Sequence, residues 1–544
     1  MSNKITTWKN KVVYEIFPRS FKDSNGDGNG DIRGIIEKID YIADLGINAI
    51  WLTPIYKTEF ADAGYDVLDY YDVWEKFGTL QDFKDLVEEC KKRNIDIIMD
   101  LVLNHVSDDH PWFKKAISDP SSDEFSYFIW NDKQEEGDES IFGGSAWEYV
   151  PSVNKYYYHL FSKNQVDLNW GSPKTVKAMA DVVEFWYNLG VKGFRLDAIQ
   201  HVAKERENGK MTYSFAPKMV EYLQAFLKQI KTEKDDIFFV GEASGINPDK
   251  LVKYSRGENR ISDAFYNFSF WYIGWHWKTG RNGIDKNWDF RKFASEDAIR
   301  YQNDKEIEGH QIFNFLTNHD TSRAISRYIK SFWYVEGAKT LALFMFAQKG
   351  IPTINYGEEI GMLNGGFKSK DEFRDVDVFN SFRIFCDEKL YYTEEEMLEA
   401  HNWNSRDNAR IPMQWNSSEN HGFTSAKTPW IKYGISANVF NVENEQKDPN
   451  SILNFYKQII SLRKNELNNF LVEGDSEMKL LENGLIQITR TYQDKNIVAI
   501  INLSSFELEY EYCPKKVIIS TYTDQITNKL RPYESLLLKG NKYD

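Results

Sequence analysis

Four short stretches hold acids, histidines and an arginine at spacings that could do chemistry. DLVLNH (100–105) contains Asp100, Asn104 and His105, and GFRLDA (193–198) contains Arg195 and Asp197. GEA (241–243) contributes Glu242, and FLTNHD (315–320) contributes Asn318, His319 and Asp320. Each follows or closes an apolar run. One aspartate in such a place reads as a helix cap; four clusters converging on one mouth do not. The inventory is carboxylates with His and Arg, with no lysine placed for a Schiff base and no nucleophilic cysteine. It suits cleavage of a glycosidic bond. That reaction needs one carboxylate to attack or stabilise an oxocarbenium-like centre and one carboxylic acid to protonate the leaving oxygen. Arg195 and Asp197, two residues apart, share one face of a strand, and the fixed charge of Arg195 is expected to keep Asp197 ionised. Glu242, on another strand, can hold a raised pKa in apolar surroundings and serve as the acid.

Something must bring these clusters together. Eight short β-rich runs, VVYEIFP (12–18), AIWLTPI (49–55), IDIIMDLVL (95–103), KGFRLDA (192–198), IFFVGEA (237–243), AFYNFSF (264–270), QIFNFLTNHD (311–320) and GIPTINYGEEIG (350–361), alternate with helical segments. Several are almost continuously apolar, as strands buried on both faces are. In GTLQDFKDLVEECKKRN (78–94), Leu80, Phe83, Leu86, Val87 and Cys90 form one stripe of a helix. Eight such units predict an α/β fold, a (β/α)8 TIM barrel, whose active site lies at the C-terminal ends of the strands. Two connections exceed plain crossovers. Residues 104–173 are expected to form an excursion domain after the third strand, and 362–430 a long functional loop after the eighth. From about 470 the pattern becomes short alternating strands, as in LIQITRTY, NIVAIINL and KKVIIST, which predicts a C-terminal antiparallel β-sandwich. The expected division is 1–103 with 174–469 for the barrel, 104–173 for the excursion and 470–544 for the sandwich.

The bulk numbers narrow the partners. The chain has 544 residues, is 42% hydrophobic and carries a net charge of −15. Nucleic acid is a poor partner for so acidic a chain, because phosphates are neutralised by clustered Lys and Arg. Sixteen Trp, 31 Tyr and 36 Phe supply a large core and flat platforms for sugar rings. The spacing of Cys90, Cys386 and Cys513 fits neither a disulfide framework nor a metal knuckle. The polar start, MSNKITTWKNKVVYEIF, lacks the ~7–15-residue apolar core of a signal peptide. No run approaches the ~20 apolar residues of a membrane span. A soluble, cytoplasmic protein is expected, monomeric or weakly oligomeric.

DSNGDGNGD (23–31) is a candidate of another kind. Asp23, Asn25, Asp27 and Asp31 alternate with small residues, which suits a hard cation with oxygen ligands. The stretch also starts like a helix-loop-helix calcium loop. Such a loop needs a bidentate Glu at its twelfth position, and that position is Gly34. A structural metal clip and a metal-free polar turn remain.

DLVLNH, GFRLDA, GEA and FLTNHD resemble the four signature regions of the α-amylase family of glycoside hydrolases. QVDLNW (165–170) resembles the fifth, in the form typical of the oligo-1,6-glucosidase and α-glucosidase subfamily. Order and spacing agree from VVYEIFPRSFKDSNGDGNGDIRG to the C-terminal β segment. The resemblance implies a retaining mechanism. Asp197 would be the nucleophile that forms a β-glucosyl-enzyme, Glu242 the general acid/base, and Asp320 the third carboxylate that holds ring hydroxyls. His105 and His319 would donate hydrogen bonds in the transition state. Retention calls for working carboxyls about 5–5.5 Å apart. The resemblance also implies an exo-acting pocket. In ADAGYD (61–66), Asp62 would grip the non-reducing glucose and Tyr65 stack on it. ARIPMQW (409–415) resembles ARTPMQW, whose arginine pairs with that aspartate, so Asp62 and Arg410 are expected to close the pocket. Ile411 replaces the Thr. Phe142, Phe161, Gln165 and Arg195 complete the expected substrate-binding set. In the loop at 23–31, Asp23, Asn25, Asp27, the carbonyl of Asn29, and Asp31 would surround one structural Ca2+.

Linkage is less determined. Val after the nucleophile goes with α-1,6 activity in the subfamily, and smaller residues with α-1,4. One such contact is worth ~1–3 kcal/mol. Ala198 therefore inclines the reading to α-1,4 or mixed specificity, on short maltose- or isomaltose-type oligosaccharides. The Arg-rich RLDRD loop of sucrose isomerases is absent; the chain reads TSRAISRYIKS (321–331). No added basic cluster marks a trehalose-6-phosphate hydrolase. A non-enzymatic transporter heavy chain would carry a membrane helix and lack the three carboxylates.

Overall fold

The computed structural model describes residues 7–207, 209–230 and 236–540. Eight parallel strands close into a barrel, each within one of the eight runs read from the sequence. They are β1 (Val13–Ile16), β2 (Ala49–Leu52), β3 (Asp96–Val102), β4 (Gly193–Asp197), β5 (Phe238–Gly241), β6 (Ala264–Tyr266), β7 (Gln311–Asn314) and β8 (Ile351–Asn355). They pair in sequence order, and β8 returns to β1. All but the first residue of β3 are buried, and β4 is buried throughout. That burial is why these strands read as unbroken apolar runs. Helix Leu80–Lys92 starts at a capping box between Thr79 and Asp82 and buries Phe83, Leu86, Val87 and Cys90. Each such side chain contributes about 1.5–3 kcal/mol by leaving water. Leu80, in the first turn, is only half-buried.

Between β3 and helix Pro173–Asn188 the chain builds a three-stranded antiparallel sheet of Trp130–Asn131, Lys155–Tyr158 and Trp147–Val150. Strand Gln165–Asp167 then pairs antiparallel with His105–Ser107, placing Asp167 opposite His105. This pairing returns the excursion to the barrel mouth. After β2 a second antiparallel pair, Tyr56–Thr58 with Val67–Val73, brackets the turn that carries Asp62 and Tyr65. The carboxylate of Asp66 accepts the backbone N–H groups of Ala61 and Asp62, both at 3.0 Å, and so holds that turn.

The long segment after β8 is tied down by Arg323. Its guanidinium is buried and donates to the carbonyls of Tyr356, Asn408 (3.3 Å) and Ala409 (3.0 Å). The Tyr356 hydroxyl donates to the carbonyl of Ile411 at 2.8 Å. The C-terminal unit is a five-stranded antiparallel sheet, with a two-stranded pair, Leu508–Glu509 and Lys529–Leu530, beside it. This is the β-sandwich expected from the alternating strands. Arg490, buried, joins it to the barrel through the carbonyl of Ala347 at 3.2 Å and also donates to its own unit's Gly474 at 2.8 Å. Among the described residues no helix is long and apolar enough to cross a membrane.

Candidate active site

The strand register sets the floor of the site. Arg195 on β4 lies beside Asp100 on β3, and both point into the barrel. Arg195 Nη1 donates to Asp100 Oδ1 at 2.9 Å and to Asp197 Oδ1 at 2.5 Å, and Nη2 lies 3.5 Å from Glu242 Oε2. One guanidinium thus touches both carboxyls that the sequence assigned to catalysis. Asp100 also accepts from Tyr65 Oη at 2.9 Å and from Trp51 Nε1 at 3.2 Å. Burial raises the pKa of Asp197 and of Glu242, and Arg195 opposes the rise in each. The expectation that the fixed charge of Arg195 keeps Asp197 ionised left out this desolvation. Two carboxyls in one dry cavity titrate as a pair. Arg195 donates to Asp197 at 2.5 Å but stays 3.5 Å from Glu242, so its charge favours the ionised form of Asp197 more than that of Glu242.

Ala198 is left-handed (φ 45°, ψ 37°), and its N–H donates to Glu242 Oε2 at 2.7 Å. This conformation is a steric outlier for a β-branched residue. Alanine therefore eases the turn between nucleophile and acid as well as leaving room in the cavity that it lines.

The third carboxylate, Asp320, has three cationic neighbours. His319 Nε2 lies 3.1 Å from Asp320 Oδ2, and Arg410 Nη2 and Arg406 Nη1 lie 3.0 and 3.3 Å from Oδ1. Burial would raise the Asp320 pKa, but His319, Arg406 and Arg410 hold it well below the usual carboxylate range. Burial would lower that of His319, but Asp320, and Glu15 on its Nδ1 at 2.7 Å, lift it to about 9. His319 is therefore an imidazolium at neutral pH. Its ring stacks on Tyr65 with centroids 5.4 Å apart.

The closure of the pocket differs from the expectation. Asp62 pairs with Arg406, whose Nη2 is 3.0 Å from Oδ1, and Arg406 also holds Asp375 at 2.5 Å. Arg410 does not form that pair; it binds Asp320 and donates from Nε to the carbonyl of His319 at 2.9 Å. The cause is local. Residues Arg406–Asn408 form a tight 3-10 turn capped by the Ser405 side chain; both arginines reach Asp320, and only Arg406 also reaches Asp62 and Asp375. Arg406 and Asp375 were missed, although NSRDNAR (404–410) shows two arginines four residues apart.

Gln165 Nε2 donates to Asp62 Oδ2 at 3.1 Å and lies 3.1 Å from His105 Nε2. Burial pushes the His105 pKa down to about 4, so this ring is neutral. Phe161 meets His105 edge-on at 5.3 Å, and Phe142 meets Phe161 at 5.9 Å. Asp62, Tyr65, His105, Phe142, Phe161, Asp197, Glu242, Asp320 and Arg406 line one cavity of about 400 Å3. Arg195, Gln165, His319 and Arg410 stand behind that lining. Trp271, Tyr272, Trp275, Arg281 and Asp377 also line it. These were missed too: no cluster of acids or histidines marks the loop after β6 that carries Trp271, Tyr272, Trp275 and Arg281, and Asp377 lies in the long segment after β8.

A model of the α-amylase catalytic domain matches residues 15–474. The chain belongs to the α-amylase family of glycoside hydrolases. It is 38% identical to an oligo-1,6-glucosidase of Parageobacillus thermoglucosidasius over 98% of each chain. The crystal structure of a trehalose-6-phosphate hydrolase of Bacillus licheniformis is similar with a TM-score of 0.88 at 36% identity, covering 98% of this chain and 99% of that one. That of an isomaltulose synthase of a Klebsiella species has a TM-score of 0.91 at 31% identity, with the same coverage.

In this glycoside hydrolase the loop at 23–31 is a nest of turns beside the barrel mouth. Asp23 accepts the N–H groups of Asn25 (3.0 Å), Gly26 (2.7 Å) and Gly28 (2.8 Å) and the Thr424 hydroxyl. Asn25 accepts from Asp27 N at 3.0 Å, and Asp27 from Asn29 N at 2.8 Å. Lys76 Nζ lies 3.2 Å from the other oxygen of Asp27. Asp31 caps helix Ile32–Glu37 through Gly34 N and accepts two bonds from Ser24. A carboxylate offers about four lone-pair sites. Asp23 uses all of its own, while Asn25, Asp27 and Asp31 retain some. The donor set, carboxylate, amide and carbonyl oxygens, suits Ca2+ in kind. Among the described residues no group of three or more acid, His or Cys side chains is already gathered for a metal, so binding would require Asp23 to exchange a bond.

Two predictions follow from the charges. Arg406→Ala leaves two buried carboxylates without their shared cation, at a cost of ~3–5 kcal/mol. Steady-state kinetics should show kcat/KM lowered by at least about 100-fold; wild-type kinetics would contradict the Asp62–Arg406 closure. The folded-state pKa of His319, about 9, lies above the ordinary value of ~6.5. Its stabilisation is complete below the ordinary value and lost as pH rises through 9. Between pH 7 and 10 the wild-type melting temperature should fall further than that of His319→Asn; parallel curves would refute the assignment.

Proposed function

We propose that the enzyme is an exo-acting, retaining α-glucosidase that removes glucose from the non-reducing end of short isomaltose- and maltose-type oligosaccharides. The observation that carries this is the buried Asp62–Arg406–Asp375 group, which closes the cavity where a second preceding sugar would have to pass. One glucose fits between this wall and the carboxyl pair. Asp197 attacks the anomeric carbon while Glu242 gives its proton to the leaving oxygen. A water then enters, Glu242 takes its proton, and glucose leaves with its α configuration retained. Asp320, fixed in its ionised form by His319, Arg406 and Arg410, accepts hydrogen bonds from ring hydroxyls. An α-1,6 linkage is supported by the likeness to an oligo-1,6-glucosidase, and Ala198 leaves room for α-1,4 links beside it.

Asp197→Asn and Glu242→Gln should each lower kcat by about 10³-fold or more while leaving the fold intact by circular dichroism. Either variant at full activity would sink the mechanism. Release of β-glucose as the first product, followed by polarimetry or NMR, would exclude retention, and fragments cut from the interior of long dextrins would exclude the exo reading.

We also propose that Asp23, Asn25, Asp27, the Asn29 carbonyl and Asp31 hold a structural Ca2+ that stiffens the β1 loop. The ion would supply charge neutralisation there and no chemistry at the sugar. Asn29 also accepts from Arg19 Nε at 2.7 Å, and Arg19 is clamped between Phe60 and Trp430 at 4.3 and 4.4 Å. Elemental analysis should find about one Ca per chain, and chelation should lower the melting temperature; no bound metal and no shift would refute the site.

A further inference from the structure

On the side of Glu242 away from Asp62, the cavity wall is aromatic. Trp271 is braced by Phe268 at 5.1 Å and Phe315 at 5.9 Å, and Trp275 lies 6.0 Å from Trp271 and 5.2 Å from Tyr272. The Tyr272 hydroxyl bonds Ser244 and the backbone at Gly245, just beyond Glu242. Tyr272 is 47% exposed, which puts it at the mouth. Since Glu242 protonates the leaving oxygen, the leaving sugar must lie against this wall. Rings there offer the flat apolar faces on which a pyranose stacks.

The charge of the cavity points the same way. Its lining has the carboxyls of Asp62, Asp197, Glu242, Asp320 and Asp377 against the guanidiniums of Arg281 and Arg406. Both guanidiniums are engaged. Arg406 serves Asp62 and Asp375, and Arg281 is held by Asp377 at 2.9 Å. Nearby Lys204 is buried against Asp167 at 2.5 Å. A phosphate on the leaving sugar would bring a dianion to a lining whose two guanidiniums, Arg281 and Arg406, are already paired with carboxylates, whereas phosphate sites use free Arg or Lys.

Resting on the α-glucosidase reading of this site, we infer that the leaving-group subsite selects an uncharged sugar stacked on Tyr272 and Trp275 and rejects a phosphorylated one. Tyr272 and Trp275 are specificity-determining, and the Asp377–Arg281 pair keeps that subsite free of net positive charge.

The test compares kcat/KM on isomaltose, maltose, trehalose-6-phosphate and α-glucosyl fluoride, whose leaving group needs no ring contact. The better unphosphorylated disaccharide should exceed trehalose-6-phosphate by about tenfold or more. Tyr272→Ala and Trp275→Ala should each lower kcat/KM on that disaccharide by about tenfold, chiefly through KM, with a distinctly smaller loss on the fluoride. Asp377→Asn should narrow the gap to the phosphorylated substrate. Preference for trehalose-6-phosphate by an enzyme that turns over the fluoride would overturn this inference alone, as would equal losses on fluoride and disaccharide in both aromatic variants. Failure on every substrate, the fluoride included, would overturn it together with the α-glucosidase reading.

Discussion

A single buried cation organises the inside of the barrel. Arg195 has no exposed surface, and a charge so placed costs several kcal/mol unless it is paired and hydrogen-bonded. It is paired with carboxyls from three neighbouring strands, hydrogen-bonding Asp100 and Asp197 through Nη1 and facing Glu242 at 3.5 Å, while its Nε and Nη2 have no hydrogen-bond partner among the described residues. The indole of Trp51 and the ring of Tyr65 lie 5.3 and 5.8 Å from the guanidinium. The pairing of Arg195 with Asp100 on one side and Val240 on the other is therefore as much an electrostatic constraint as a backbone one. A slip of one residue in β4 would turn both Arg195 and Asp197 out of the barrel.

Around that cation the three acids of the site meet opposite environments. Asp197 and Glu242 are dragged up by burial and share one guanidinium. Asp320 is dragged down by an imidazolium and two guanidiniums. Acids shifted in opposite directions thus coexist within one cavity, each by its surroundings rather than by residue type. The same contrast separates the histidines: His105 is held neutral by burial, His319 charged by Glu15 and Asp320.

The eight strands were legible because burial on both faces leaves unbroken apolar runs. The acids were legible because they stand where those runs end. What failed was partner choice within a loop. Arg406 and Arg410 are both arginines of one short segment, and Arg406, in the 3-10 turn Arg406–Asn408, is the one that reaches Asp62. The bonding of the 23–31 loop was equally hidden, since Asp23 is completed by Thr424, some 400 residues along the chain. The aromatic wall after β6 gave no signal, because Trp and Tyr there look the same as core residues until their exposure is seen. Stripes, runs and strand-end acids are local patterns; side-chain pairing across loops is not.

The blind end at Asp62 also fixes an order of events. A cavity shut by Arg406 and Asp375 has one door, and the severed chain occupies it first. Glucose can leave only after that piece has gone, and the next substrate can enter only after the glucose. A site of the proposed exo kind would not thread a polymer or keep hold of it between cuts. On the proposed exo-acting reading, shortening would be distributive: every glucose removed would require a fresh encounter, so turnover would follow the number of chain ends in solution rather than the mass of sugar.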